Sequence, residues 1–473
     1  MLLCLPYSCS SWARRGWRAR VKVKRGKTRA LAGDFDGAVD DLQCALTLAR
    51  ARDDRQGEGL LLTKLGMTYR RADDYERARE TLGRVLELAR AAGDAHRVAD
   101  NLFHLGTVIW TEGDNARSAP YQEEAVAICR REGFVDLVAV QAMHGRAENY
   151  FLSGYYEEAT TYLTESLALA RQIGDRGYEA ENLYMLGATH SGLIGANYAM
   201  AREALEASLR ISRAAQMDWH ILPPLFILCD VMGSLGHYGL GLRYGLEAVE
   251  LAERLEIIYF KSIALDFLGN LYRDLNLLDE AEAAHAQGAE EASQGHAGNW
   301  LPRIEADLAI DRLRRGDLQV GEKLQKALET SMARKQEVHG TRCLEGLAEW
   351  ALAVGDAEQA LAYARQLREL ATARGMREAL TGAWQWEGLT LAALGRVEEA
   401  KESLLQALAL AETLGAPCVL REVHGALRTF YGAQGQTALA AQHAQTLERI
   451  IVQIANSLPD RAPRHRLETA TQD

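Results

Sequence analysis

The sequence repeats itself about every forty residues, and that period limits the possible folds more than any other feature. GDFDGA at 33–38 is followed by ALTLAR at 45–50. The same pair returns as DDYERA at 73–78 with VLELAR at 85–90, and as GYYEEA at 154–159 with SLALAR at 166–171. It returns again as GRVEEA at 395–400 with ALALAE at 407–412. Anchored on the first residue of the second motif, the units fall at Ala45, Val85, Ala125, Ser166, Ser208, Ala248, Gly288, Ala327, Leu367, Ala407 and Leu447. A unit this short cannot bury its own apolar face, so it must stack on its neighbours.

Each unit reads as two helices. The first carries a Leu-Gly-x-x-Tyr kernel, Leu65-Gly66-Met67-Thr68-Tyr69 and again Leu268-Gly269-Asn270-Leu271-Tyr272. Glycine there admits a partner helix at close range, and tyrosine fills the space beside it. A Gly-Asp turn follows, as at Gly316-Asp317 and Gly355-Asp356. The second helix places a small residue at its contact point: Ala38, Ala78, Ser118, Ala159, Ala201, Gly241, Ala281, Ala360 and Ala400. An apolar stripe of helical period continues from there, and units often close on a glycine, as at Gly93, Gly375 and Gly415.

Leu, Ala, Glu and Arg dominate a chain that is 48% hydrophobic but only 7% aromatic, a helical composition. No apolar run approaches the ~18 residues of a membrane span. The opening apolar stretch is short and has no basic residue before it, unlike a secretory signal. Seven cysteines (Cys4, Cys9, Cys44, Cys129, Cys229, Cys343, Cys418) are widely spaced without a C-x-x-C pair, which offers no zinc site or disulfide framework and points to a reducing cytoplasm. Cys129 and Cys229 fall on apolar helix positions and read as small core residues.

The net charge of -11 is unevenly spread: residues 1–33 hold nine Lys/Arg and no acid. The remaining body is strongly acidic, which argues against a nucleic-acid groove. The basic arm has two readings, a contact with phosphate or an anionic membrane surface, and an ordinary solvated charge run. Residues 1–20 are expected to be poorly ordered, 21–456 to form the solenoid, and 457–473 to be a loose tail.

Gly26-Lys27-Thr28 ends like a phosphate-binding loop, and Leu225 to Asp230 resembles the apolar run ending in the Asp that accompanies one. The first glycine of such a loop is missing, since Val21 occupies its place. The repeat explains both fragments. Gly26 stands before Ala45 as Gly66 stands before Val85 and Gly388 before Ala407, so Lys27 and Thr28 belong to the first helix of unit one. The run ending at Asp230 is likewise the first helix of unit six.

The spacing of Leu-Gly, Tyr and the two Ala positions resembles the tetratricopeptide repeat, with Trp384 and Gly388 at that family's Trp and Gly places; the resemblance covers roughly residues 25–456. The units are longer than the usual 34 residues, by ~9 Å of helix per repeat. They look like those of kinesin light chains and of the C-terminal regions of bacterial signalling ATPases, cyclases and transcription regulators. The ending from Ile450 to Asp460 is similar to tails of the ATPase group. The resemblance implies an all-α, right-handed α-solenoid of about eleven helical hairpins. It implies a non-catalytic scaffold that binds a peptide or partner domain in a concave groove. The alternative is the sensor arm of a signalling ATPase, cyclase or transcription regulator whose effector domain lies elsewhere.

Carried over by repeat position, the family's groove residues are Arg70, Arg71, Phe103, Trp110, His144, Glu148, Tyr184, Phe226, Asp230, Asp266, Asn270 and Arg273. Aromatics mixed with both charges suit an extended peptide or a partner helix. Asn270 with Arg273 would hold a backbone or carboxylate, or else form a solvated polar face. Trp110 and Phe103 would meet a ligand or pack between repeats. Scattered histidines, without H-E-x-x-H or a G-x-S-x-G elbow, give no catalytic, metal or cofactor site. Residues 293–302, where the repeat pattern is faintest, read as a hinge or exposed loop, with Trp300 either a staple or a contact residue.

Overall fold

The computed structural model describes residues 22, 24–25, 29, 34–112, 114–294 and 299–458. Among them twenty-one α-helices, from Phe35–Arg50 to Thr437–Asn456, follow one another with no strand. They form ten complete antiparallel hairpins after helix Phe35–Arg50, in step with the forty-residue period. The fold is an all-α solenoid.

The helix ends are fixed by local chemistry. Asp74 and Asp94 accept the N–H of Arg77 and Arg97 at 3.1 and 3.0 Å, capping helices Tyr75–Ala92 and Ala95–Thr111. Each such cap contributes about 1 kcal/mol. Gly93, Gly375 and Gly415 stop their helices in the left-handed region, with φ of 66°, 64° and 64°. The small contact residues are sealed: Ala38, Ala78, Ala159, Ala201, Ala281, Ala360 and Ala400 are all fully buried. The kernel glycine is sterically required, because a Cβ on Gly66 would lie 2.6 Å from Leu82 Cγ.

The packing of the described residues gathers into two compact units: the first holds those up to 153 with 157–175, and the second holds 154–156 with those from 176 onward. In the first unit, Leu42, Leu82, Val85, Leu102, Val108 and Val126 join one apolar core. Its Asp41, 1% exposed, takes Lys22, Arg25 and Arg29 as ion-pair partners. The hydrogen bond from Arg25 is the main reason its carboxyl lies well below the usual range. Lys22, Lys24, Arg25 and Arg29 are helical, whereas Gly26, Lys27 and Thr28 lie outside the described residues.

The second unit closes on itself, bringing repeats far apart in sequence into contact. Tyr198 reaches Glu378, and the Arg377 N–H donates to Ile194 O at 3.3 Å. Cys418 Sγ lies 3.9 Å from Ser234 O, and Arg421 donates to Asp274 O. Tyr238 N–H donates to Ser457 Oγ at 3.1 Å. Ser457 makes this contact and Leu458 is only 2% exposed, so the first two residues of the expected tail pack against the chain. Residues 1–20 and 459–473, expected to be loose, lie outside the described residues, as do 295–298 within the expected hinge. No helix among the described residues is long and apolar enough to cross a membrane.

Candidate functional site

In the first unit, Arg71 is exposed, and Arg70, Trp110 and Glu148 are half-buried. Phe103 is buried: its ring edge stands where a side chain on Gly145 would go, and its carbonyl accepts from Gln122. His144 is buried as well, with Nε2 3.7 Å from Glu148 Oε1 one turn on. Phe103 and His144 therefore sit between repeats, while Trp110, Arg70 and Arg71 keep a solvent-facing part.

In the second unit, Tyr184 is half-buried, and Phe226, Asp266 and Arg273 are buried. Arg273 in helix Ile258–Asp274 is committed within the chain: Nε meets Asp311 Oδ1 at 2.6 Å and Nη1 meets Asp307 Oδ1 at 2.7 Å. Asn270 donates to Asp266 O and accepts from Arg342 Nη2 at 3.3 Å. With Arg273 only 4% exposed and so engaged, the pair is neither a solvated face nor a free carboxylate clamp.

These residues open onto a larger ion network. Arg303 Nε holds Asp266 Oδ2 at 3.0 Å, Arg342 Nε holds Asp307 Oδ1 at 2.7 Å, and His285 Nδ1 holds Asp311 Oδ2 at 2.5 Å. Burial pushes Asp266 up to about 6 against the attraction of Arg303. At Asp311 burial is outweighed by the His285 hydrogen bond and the Arg273 charge, which hold it below the usual range. Donor atoms of Asp266, His285 and Asp307 lie within 4.8 Å of one another, a spacing that a metal site would also show. However, His285 Nε2 already faces Asp266 O at 3.1 Å, so both ring nitrogens have acceptors. Three guanidiniums also supply the positive charge that a cation would bring. The donor set fits an internal ion network better than a metal centre.

A second feature is aromatic. Trp219 stands at the start of helix Asp218–Ser234 and is 62% exposed. From it runs a chain of ring contacts: Phe260 at 5.9 Å, then Phe226 at 6.0, Phe267 at 5.6, Trp300 at 5.9 and His339 at 4.8 Å. The chain crosses the first helices of four successive repeats. Phe226 and Phe267 are buried beneath it, whereas Tyr259, Phe260 and Trp300 are half-exposed. Arg303 lies 5.8 Å from the Trp300 ring and 5.9 Å from that of Phe267. Trp300 thus staples onto the next helix and keeps a free part.

The sequence reading missed Trp219, Phe260, Arg303, Asp307, Asp311, Arg342 and a group of carboxylates near Asp230. Partial burial is the main influence raising three half-buried members of that group, Asp230 to about 6, Glu345 to about 7 and Glu378 to about 8, whereas Glu422 is exposed. Two signals were available. Glu345 stands before Leu367 as Phe226 stands before Ala248 and Asp266 before Gly288, so the groove positions continue past unit seven. His285 occupies the place where other units carry Leu82, Leu163, Leu205 and Leu404, a polar residue in a core position.

No curated protein sequence matches the chain. In structure it is similar to a Rap protein complexed with competence and sporulation factor, at 13% identity and a TM-score of 0.47, over 85% of this chain and 99% of that one. It is also similar to APC/C Cut9-Hcn1 (13% identity, TM-score 0.45, 95% and 89% covered) and to yeast Tom70 (12%, 0.36, 96% and 95%). Residues 17–91 and 60–131 match one tetratricopeptide repeat model and residues 381–414 match another, so the chain carries tetratricopeptide repeats.

Proposed function

We propose that the protein is a non-catalytic interaction scaffold that binds a peptide or partner domain along the inner helices of its repeats. The observation that supports this reading is the aromatic row from Trp219 to Trp300. An exposed tryptophan at the end of a rigid, buried aromatic stack is a surface pre-organised to receive a ligand. Half-buried Trp110 offers a comparable anchor in the first unit. On the second-helix side, Arg396 and Glu399 are bonded to each other, and that pair serves as the contrast. Tetratricopeptide folds generally serve binding rather than catalysis, and the protein is read here as working in the cytoplasm.

The test is a pull-down with wild type, Trp219→Ala, Trp110→Ala and Glu399→Ala, each checked for intact helicity. A buried aromatic anchor contributes ~2 kcal/mol or more, a rim charge ~1 or less. Loss of the partner in a tryptophan variant with retention in Glu399→Ala supports inner-face binding. Equal capture by all four would place the contact elsewhere.

A further inference from the structure

The seam between early and late repeats of the second unit is centred on a hydrogen bond that spans 180 residues of chain. Tyr198, 4% exposed, donates from its hydroxyl to Glu378 Oε2 at 2.5 Å. Backbone without a side chain makes room for that carboxylate. A Cβ on Gly192 would lie 2.4 Å from Glu378 Oε2 and 3.4 Å from Asp230 Oδ2, so the two acids are neighbours over bare main chain. Asp230 Oδ2 is sealed from solvent and has no hydrogen-bond partner. Both residues are half-buried, and two neighbouring carboxylates with little water between them resist ionising together, so one proton on the pair removes the conflict. We propose that Tyr198, Glu378 and Asp230 form a proton-operated latch: with a proton on the carboxylate pair the seam holds, and when the proton leaves the early and late repeats part.

The surroundings favour that behaviour. Burial and then Asp230 are the strongest influences on Glu378, with the Tyr198 hydrogen bond opposing them. Glu345 from helix Glu337–Ala353 and Glu422 from helix Pro417–Ala433 add further negative charge, and Glu378 is pushed up to about 8. Asp230 is raised mainly by its own burial, with Arg303 opposing. Arg314 and Arg421 face Glu422, and Arg314 also faces Glu345. Burial keeps the Cys418 thiol and the Tyr198 phenol protonated, and it lowers His190 at the end of helix Arg176–His190.

An acid held above its ordinary value when the seam is shut favours the shut form at low pH. In the open form Glu378 returns toward 4.5 and binds its proton less tightly. Closure therefore weakens as pH rises from about 4.5 toward about 8. Opening would change access to the inner helices; that consequence rests on the interaction reading, whereas the latch does not.

Hydrogen exchange on the full chain between pH 6 and 9, corrected for intrinsic rates, reads the seam directly. The reporters are the amides of Arg377 and Tyr238, whose acceptors lie across it. In wild type their protection should fall up to about a hundredfold over this range, tenfold for each unit of pH up to about 8. Glu378→Gln keeps an acceptor for Tyr198 but cannot ionise, so its protection should stay flat to pH 9. Constant protection in wild type, or a Gln variant that loses protection in parallel with wild type, overturns the proposal. If Glu378→Gln does not fold, Asp230→Asn must make the profile shallower and leave more protection at pH 9, and a profile still like wild type counts equally against the latch.

Discussion

Arg273 Nη1 lies 2.7 Å from Asp307 Oδ1, with both side chains almost wholly withdrawn from solvent. Asp307 also holds Arg342, so removing this one carboxylate takes a partner from two guanidiniums and leaves Arg273 with Asp311 and Arg342 with Glu345. Asp307→Ala should cost about 3–5 kcal/mol of stability, as breaking a buried ion pair does. The double variant Asp307→Leu with Arg273→Met should recover much of that loss. Denaturant titration of the variants checks both values.

The kernel glycines make a paired prediction. A Cβ on Gly388 would lie 2.6 Å from Leu404 Cγ and 3.1 Å from Ala400 O, so Gly388→Ala overpacks the hairpin. The expected loss is about 1–3 kcal/mol. Gly425, inside helix Pro417–Ala433, meets nothing within 4 Å. Gly425→Ala should therefore be neutral or stabilise by up to about 1 kcal/mol. Opposite signs in thermal melts would bear out the packing argument, and equal losses would contradict it.

His339 supplies a pH dependence of its own. Burial lowers its ring to about 3, with Arg303 adding to the effect. A histidine depressed in the folded state contributes stability that is full above about 6.5 and is lost as pH falls toward 3. Each unit of pH in that window costs up to about 1.4 kcal/mol. NMR titration should find the His339 ring neutral at pH 5; a transition near 6.5 would refute its isolation.

Local pattern made the hairpins legible. Period, kernel glycine, capping aspartate and small contact residue each act within one or two units, and Gly66 against Leu82 or Asp94 on Arg97 is where spacing put it. The closure of the second unit was not legible. Tyr198 and Glu378 meet only because small rotations between repeats accumulate around a turn, and no motif encodes that sum. The inner face was half legible. Its positions came from the repeat, but Arg273 turned inward to Asp307 because charges on successive inner helices neutralise one another. Trp219 escaped notice because it lies at a helix start, ahead of the positions carried over.

The most direct test of inner-face binding places a photo-crosslinking amino acid at Phe260, within the aromatic row, and separately at Leu405, exposed on a second helix. Irradiation in cells followed by mass spectrometry maps what each position touches. The account predicts a partner adduct from position 260 and none from 405. Adducts from 405 with none from 260 would contradict it.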